Sequence, residues 1–235
     1  MSRHLKVSVW RSNDADYHQF LVPSQDSQTV LDVVSWIQQN ELPDLSYRYA
    51  CRVGMCGSCA MMVNGEPRWT CRTHVNKVLK DDQITIGPLR NLPVIKDLVT
   101  DMDPFFDKWV EAEAVFHPTK TRQDQLEPIL PKSAKRQQAS AAIECINCAI
   151  CYSACDVVAS NSDYLGPAAL NRAWSLVNDV RDGGHDKRLE AISSSGGCHN
   201  CHSQSGCASY CPNDLNPTAS IAGLKRETIK SWWYK

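Results

Sequence analysis

Four cysteines, Cys145, Cys148, Cys151 and Cys155, lie within eleven residues in the stretch Glu144 to Asp156. Their spacing, C-x2-C-x2-C-x3-C, is that of runs whose first three thiolates grip three irons of a [4Fe-4S] cubane while the fourth reaches across to a second cluster. A structural zinc site draws on C-x2-C pairs set well apart in sequence, so this run fits it poorly. A disulfide framework belongs to small secreted domains, and nothing in the chain reads as secreted. The chemistry these residues offer is electron transfer through iron-sulfur clusters.

A crossing fourth cysteine requires a second run. One is present from Cys201 to Pro212, reading C-x2-Q-x2-C-x3-C-P, with Gln204 where the second cysteine belongs. Under the crossing rule, Cys145, Cys148 and Cys151 take Cys211 as the fourth ligand of a [4Fe-4S] cluster, and Cys201 and Cys207 take Cys155. Three thiolates suit a [3Fe-4S] cluster, which lacks the corner iron that a fourth cysteine would hold. Cys198, three residues before Cys201, is the rival for that corner. A buried, inert thiol is its expected state.

A third group, Cys51, Cys56, Cys59 and Cys71, begins C-x4-C-x2-C, the spacing of a plant-type [2Fe-2S] loop. Gly54 and Gly57 let backbone N–H groups turn inward to the sulfurs, where hydrogen bonds favour the reduced, more negative cluster. Cys71 comes twelve residues after Cys59, and the Asn64-Gly65 hairpin between them brings the chain back to close the site.

Elements that could position these groups are visible around them. Leu5 to Trp10 alternates as a half-buried strand, and His18 to Val22 offers a partner across the turn-rich Ser12-Asn13-Asp14. Thr29 to Gln39 reads as a helix with Val30, Val33, Val34 and Ile37 on one face. Strands are expected at Ala60 to Val63, Arg68 to Thr70 and Ile84 to Ile86, giving a β-grasp order. From Leu98 to Ser140 the chain reads as a connector, with a helix starting at Asp103-Pro104 (Phe105, Phe106, Trp109 and Val110 as its apolar face) and a surface segment from Pro118 to Lys135. Gly166-Pro167 opens a helix with Leu170, Ala173, Trp174 and Val177 on its face, ended by Gly183-Gly184. Asn216-Pro217 opens another, carrying Ile221, Leu224 and Lys225 to about Lys230. The Trp232-Trp233-Tyr234 tail suits either a membrane-interface anchor or packing on another subunit. The expected class is α+β: residues 1–103 a β-grasp plant-type [2Fe-2S] domain, 104–140 a connector, and 141–235 an α-helical two-cluster domain.

Composition narrows the function. At 235 residues, with a formal net charge of -1 and no long basic run, the chain lacks the electrostatic footprint of a nucleic-acid binder. Twelve cysteines in a chain of ordinary hydrophobicity point to cofactors in a reducing compartment. No apolar run reaches bilayer-spanning length, and Met-Ser-Arg-His-Leu-Lys-Val at the N-terminus has neither a signal core nor twin arginines. There is no G-x-G-x-x-G and no P-loop, so an organic cofactor must sit on a partner.

The order of the three groups resembles the iron-sulfur subunit of succinate dehydrogenase and fumarate reductase. Local matches are Ser46-Tyr47-Arg48, Cys51-Arg52, Gly54, Cys56-Gly57-Ser58, Gly166-Pro167-Ala168 and Asn216-Pro217. The resemblance implies electron conduction between the FAD of a flavoprotein subunit and quinone at a membrane anchor that can carry haem b. The chain would then sit on the cytoplasmic face of the membrane through its partners. It also implies that His202 and Lys225 lie at the quinone end. Where the family often has Pro after the cysteine matching Cys155, and Trp five residues beyond it, this chain has Asp156 and Ser160. Two neighbouring readings are a related wire for a glycolate, glycerol-3-phosphate or thiol:fumarate flavoprotein and a free-standing ferredoxin. The former usually carries cysteine-rich extensions, whereas about two dozen residues follow Cys211 here.

Overall fold

The computed structural model describes residues 3–125 and 130–233. The chain forms an α+β protein of two compact units. One comprises the residues up to Met102 together with Ile146–Ala154; the other comprises Asp103–Cys145 and the chain from Cys155 on. The units thus follow space rather than chain order. The segment from Asp103 groups with the C-terminal helices, and part of the first ferredoxin-type run groups with the N-terminal sheet.

In the first unit, strands β1 (His4–Arg11), β2 (Asp16–Pro23), β3 (Ala60–Val63), β4 (Glu66–Trp69) and β5 (Gln83–Gly87) form one sheet in the order β2-β1-β5-β3-β4. Only the central pair β1 and β5 is parallel. Helix α1 (Val30–Asn40) starts at Thr29, whose side chain accepts from the Asp32 amide while the Asp32 carboxylate accepts from the Thr29 amide, a full capping box. Its Val30, Val33, Val34 and Ile37 share one buried cluster with Leu5, Val7, Val9, Ile84 and Ile86. That helix-on-sheet core is the β-grasp expected from the alternating and 3.6-residue patterns.

The β3-β4 hairpin pairs Val63 with Glu66 across Asn64 and Gly65, which have φ of 51° and 81°. Positive φ at both central residues is the type I′ requirement. The Asn64 side chain also fastens the turn to its neighbours, donating to the Val78 carbonyl at 2.6 Å and accepting from the Thr85 amide at 2.8 Å.

A short hairpin that the sequence did not announce, β6 (Val94–Lys96) and β7 (Val99–Thr100), turns at the fully buried Asp97. Its carboxylate accepts from the Ser12 and Ser46 amides at 3.1 and 3.0 Å and faces Arg11 at 3.4 Å. Buried charge is tolerated only when satisfied in this way.

The second unit is helical. Helix α2 (Asp103–Glu111) buries Phe105 but leaves Phe106 and Val110 exposed, so its expected apolar face is only partly covered within the chain. Helix α3 (Ala134–Ser140) is capped by Ser133. The short helix α4 (Ile150–Ser153) belongs to the first unit, where the Ser153 hydroxyl accepts from the Arg90 amide at 2.9 Å and the Tyr152 carbonyl accepts from the Asn91 side chain at 2.9 Å. Returning to the second unit, α5 (Asp156–Ser160) leads to α6 (Gly166–Val177), which carries Pro167 in its first turn.

Helix α6 ends at Val177, not at Gly183-Gly184. Asn178 caps it by donating its side-chain amide to the Trp174 carbonyl at 2.8 Å, and the glycines instead precede a separate helix, α7 (His185–Ile192). Val177 is half-buried, while Leu176 is in the core beside Leu170, Ala173 and Trp174. The small helix α8 (Gly206–Ser209) precedes α9 (Pro217–Trp233), which runs past Lys230 and leaves Trp232 and Trp233 exposed. Tyr234 and residues 126–129 of the expected surface segment lie outside the described residues. The described remainder of that segment is exposed apart from the half-buried Ser133, and Thr119 is tied to the Arg181 carbonyl at 3.0 Å. Among the described residues no helix is long and apolar enough to cross a membrane.

The second unit is held by an ion pair with no exposure on either side. Arg188 on α7 reaches Asp182 at 2.8 Å, and its remaining donors go to the carbonyls of Glu113 and Val115, both at 2.9 Å. Asp182 in turn accepts from the amides of His117 and Gly184. Removing one partner of such a pair leaves the other charge buried, which costs roughly 3–5 kcal/mol. Asp182→Ala is therefore expected to lower the denaturant midpoint of the helical unit strongly, while the exposed pair variant Glu227→Ala is expected to shift it by less than about 1 kcal/mol. Equal shifts, measured by far-ultraviolet circular dichroism, would contradict this account.

Candidate electron-transfer centres

In the first unit the loop from Cys51 to Cys59 folds back on its own sulfur. The amides of Val53, Met55 and Cys56 all donate to Cys51 Sγ, at 3.4, 3.2 and 3.4 Å, and the Cys51 amide donates to Cys56 Sγ at 3.5 Å. This curl needs backbone that turns the wrong way for most residues, and Arg52, Gly54 and Gly57 have φ of 58°, 79° and 71°. The amides support negative charge: with the Cys51 amide as the largest cause, then Ser58, the Cys56 thiol is lowered to about 6.

Cys59 and Cys71 are buried behind the loop, against Leu31 of α1. Burial, then the neighbouring Cys59, pushes the Cys71 thiol up to about 12. The hairpin does return Cys71 to the loop, because the Thr70 hydroxyl and amide both donate to the Cys59 carbonyl. An array of inward amides around four cysteines, two of them shielded from water, fits a cluster that carries negative charge.

Gly57 has a second neighbour. A Cβ at this position would lie 2.7 Å from Cys148 Cβ and 3.0 Å from the Ile146 carbonyl oxygen. The loop that carries Cys51, Cys56 and Cys59 and the first ferredoxin-type run therefore meet, within one unit, at a glycine.

The two ferredoxin-type runs share a backbone pattern. Asn147 and Ala149 have φ of 56° and 58°; Ser203 and Ser205, at the same offsets from Cys201 as those residues are from Cys145, have φ of 58° and 64°. A four-residue helix follows each, α4 and α8. Gln204 accordingly occupies the loop position of Cys148, and it is exposed.

In the second unit Cys155, Cys201 and Cys207 are mutual electrostatic neighbours. The amide of Ser203 donates to Cys201 Sγ at 3.4 Å, and Cys207 Sγ lies 3.3 Å from the Thr218 hydroxyl. Burial is the main reason that the Cys155 and Cys207 thiols are pushed up.

Tyr164, only 1 % exposed, lies against the same three sulfurs; burial first, and then Cys201 and Cys155, push its phenol up. Sequence reading passed over Tyr164 and Thr218, since neither belongs to a cysteine run. Their only sequence signal is position, shortly before Gly166-Pro167 and just after Asn216-Pro217. Cys198 is fully buried and its thiol is likewise pushed up by burial. Among the described residues no three His, Cys, Asp or Glu side chains close on one point as a single metal ion demands.

Comparison with known proteins bears on these groups directly. Residues 5–107 match the 2Fe-2S iron-sulfur cluster binding domain and residues 144–216 the 4Fe-4S dicluster domain. The fumarate reductase iron-sulfur subunit of Escherichia coli O6:H1 is 34% identical over 237 residues, covering 98% of this chain and 95% of that protein. This chain belongs to the family of fumarate reductase and succinate dehydrogenase iron-sulfur subunits. The mitochondrial succinate dehydrogenase iron-sulfur subunit 1 of rice, Oryza sativa, is 35% identical over 203 residues, covering 86% of this chain and 72% of that one. Among solved structures, a chain of the Mycobacterium smegmatis Sdh1 complex in the apo form matches with a TM-score of 0.87 and 27% identity, covering 99% of this chain and 98% of that one. As a family member the chain is an electron-transfer subunit of a multi-subunit oxidoreductase.

The residues singled out by the family pattern have distinct surroundings. His202 is exposed. The Lys225 ammonium donates to the Cys201 carbonyl at 2.7 Å, which ties α9 to the start of the second ferredoxin-type run. Asp156 opens α5 directly after Cys155, and Ser160 ends it by donating its hydroxyl to the Val157 carbonyl.

Gly57 and Gly65 allow the contact at Cys148 to be tested. Both have positive φ, so alanine costs each about 1–2 kcal/mol of backbone strain. A Cβ at Gly65 meets nothing within 4 Å, whereas at Gly57 it overlaps Cys148. Gly65→Ala is expected to keep its iron and acid-labile sulfide, and Gly57→Ala to lose a substantial part of both. Equal retention in the two variants would show that the Cys148 contact is unimportant.

Proposed function

We propose that this subunit conducts electrons between the FAD of a flavoprotein partner and a quinone held by a membrane anchor, in a succinate:quinone or quinol:fumarate oxidoreductase. Cys51, Cys56, Cys59 and Cys71 hold a [2Fe-2S] cluster in residues 1–103. Cys145, Cys148, Cys151 and Cys211 hold a [4Fe-4S] cluster, and Cys155, Cys201 and Cys207 a [3Fe-4S] cluster, both assigned to residues 141–235. When bound, these clusters supply reversible one-electron redox chemistry; the protein supplies spacing, shielding and hydrogen bonds.

The observation that carries the reading is the repeated loop: the second ferredoxin-type run keeps the backbone of the first, but Gln204 stands where Cys148 supplies its thiol. A site built in the same way with one sulfur fewer is suited to three irons. It differs from its cubane sister in potential, which is what a series of centres between flavin and quinone uses. His202 and Lys225 flank this third centre and are assigned to its quinone side. The chain attaches at the cytoplasmic face of the membrane through its partners, the anchor subunits.

Two measurements on the intact complex test the proposal. The oxidised wild type is expected to show the near-isotropic EPR signal of a [3Fe-4S] cluster, unaltered by Cys198→Ser, and Gln204→Cys is expected to convert that cluster towards a cubane. Two [4Fe-4S] clusters in anaerobically prepared wild type, one of them lost in Cys198→Ser, would overturn the assignment. Cys56→Ala is expected to abolish succinate-dependent quinone reduction while an artificial acceptor that takes electrons from flavin is still reduced. Quinone reduction at the wild-type rate would rule out a serial wire.

A further inference from the structure

The amides around Cys155 and Cys201 are main-chain groups, fixed by the loop itself: those of Val157 and Val158 face Cys155, and that of Ser203 faces Cys201. Cys207 also has a side-chain neighbour, the Thr218 hydroxyl at 3.3 Å. A free thiol and a hydroxyl could each be the donor at this distance. A thiolate bound to iron carries no proton, so with the centre assembled the hydroxyl must donate and the sulfur accept.

Position supports the same direction. Asn216 caps α9, its side chain accepting from the Ala219 amide at 3.0 Å, and Pro217 and Thr218 are the first two residues inside the helix. The residue four before Thr218 is not helical, so no carbonyl of α9 stands below the hydroxyl to take its proton. Cys207 is 8 % exposed, so water competes little for its sulfur.

We propose that the Thr218 hydroxyl donates a hydrogen bond to Cys207 Sγ and holds the three-thiolate centre at a higher reduction potential than its ligands alone would give. The proposal rests on the assignment of Cys155, Cys201 and Cys207 to a three-iron cluster. Reduction adds one electron to that cluster, delivered along the chain's other centres; no bond breaks and the hydroxyl keeps its proton. The added negative charge is shared by the cysteine sulfurs, so a donor aimed at one of them stabilises the reduced form more than the oxidised form. A hydrogen bond to a charged group contributes about 1.5 kcal/mol; only the part by which it strengthens on reduction moves the one-electron equilibrium, so a tenfold bias, or about 59 mV, is the upper limit. Thr218 is thus a positioning residue for redox, touching a ligand rather than a substrate.

The test is a redox titration of the intact complex, followed by the [3Fe-4S] EPR signal, with Thr218→Val and Thr218→Ser. Valine keeps the shape and removes the donor; serine keeps the donor. Thr218→Val is expected to favour the oxidised form more than wild type does, severalfold and up to about tenfold, with the [2Fe-2S] and [4Fe-4S] midpoints unmoved, and Thr218→Ser to titrate like wild type. An unshifted valine protein with full signal, or a serine protein shifted as far as valine, overturns the proposal. If the valine protein loses the centre, the serine protein decides: wild-type content and midpoint support the hydroxyl's role, and loss or shift refutes it. A wild type with no three-iron signal at all would instead refute the cluster assignment.

Discussion

A missing methyl group at Gly57 sets the tightest constraint in the N-terminal unit. The loop that carries Cys51, Cys56 and Cys59 must curl so that its amides face sulfur, and the outer side of that curl lies on Cys148 with no room for a side chain. Sulfur is a diffuse, weak acceptor, so several amides must converge before a negative centre is supported in a partly buried place. The positive φ values are the local cost of that convergence, and Cys59 and Cys71 are held behind the loop in a buried cluster with Leu31 of α1.

Burial and hydrogen bonding act on the sulfurs in opposite directions, and the protein applies them unequally. In the first unit, amides draw Cys56 towards the charged form while burial holds Cys71, behind the loop, in the neutral one. Around Cys155 and Cys207 burial dominates, and the buried ring of Tyr164 thickens the shield. A poorly hydrated pocket disfavours extra negative charge, so the donors that face the sulfurs there have a large effect.

The sequence exposed the cysteine groups because a ligand run is a local pattern, and it exposed β1, β2, α1 and the β3-β4 hairpin because each obeys a short period or a turn rule. It did not expose Asp97 or the Asp182–Arg188 pair, whose partners are 85 and up to 75 residues away in the chain. Gly183-Gly184 was a misleading stop signal: α6 had already ended through the Asn178 side chain, a cap that looks like any other asparagine in a sequence. Phe106 and Val110 followed a helical period yet stay exposed, because periodicity reports that a face is apolar and not what covers it. Tyr164 and Thr218 were invisible for the same reason as the ion pair, since they approach the sulfurs only through the fold.

The twin loops at Asn147-Cys148-Ala149 and Ser203-Gln204-Ser205 share a path that does not depend on the central residue. Left-handed residues on either side fix the turn, so the middle side chain can be exchanged without redrawing the backbone. Such a scaffold separates two inherited properties that are usually bound together, the shape of a site and the number of its ligands. A lineage that begins with two equivalent loops can therefore differentiate one of them by a single codon, leaving the architecture intact while the electronic character of one half drifts away from the other.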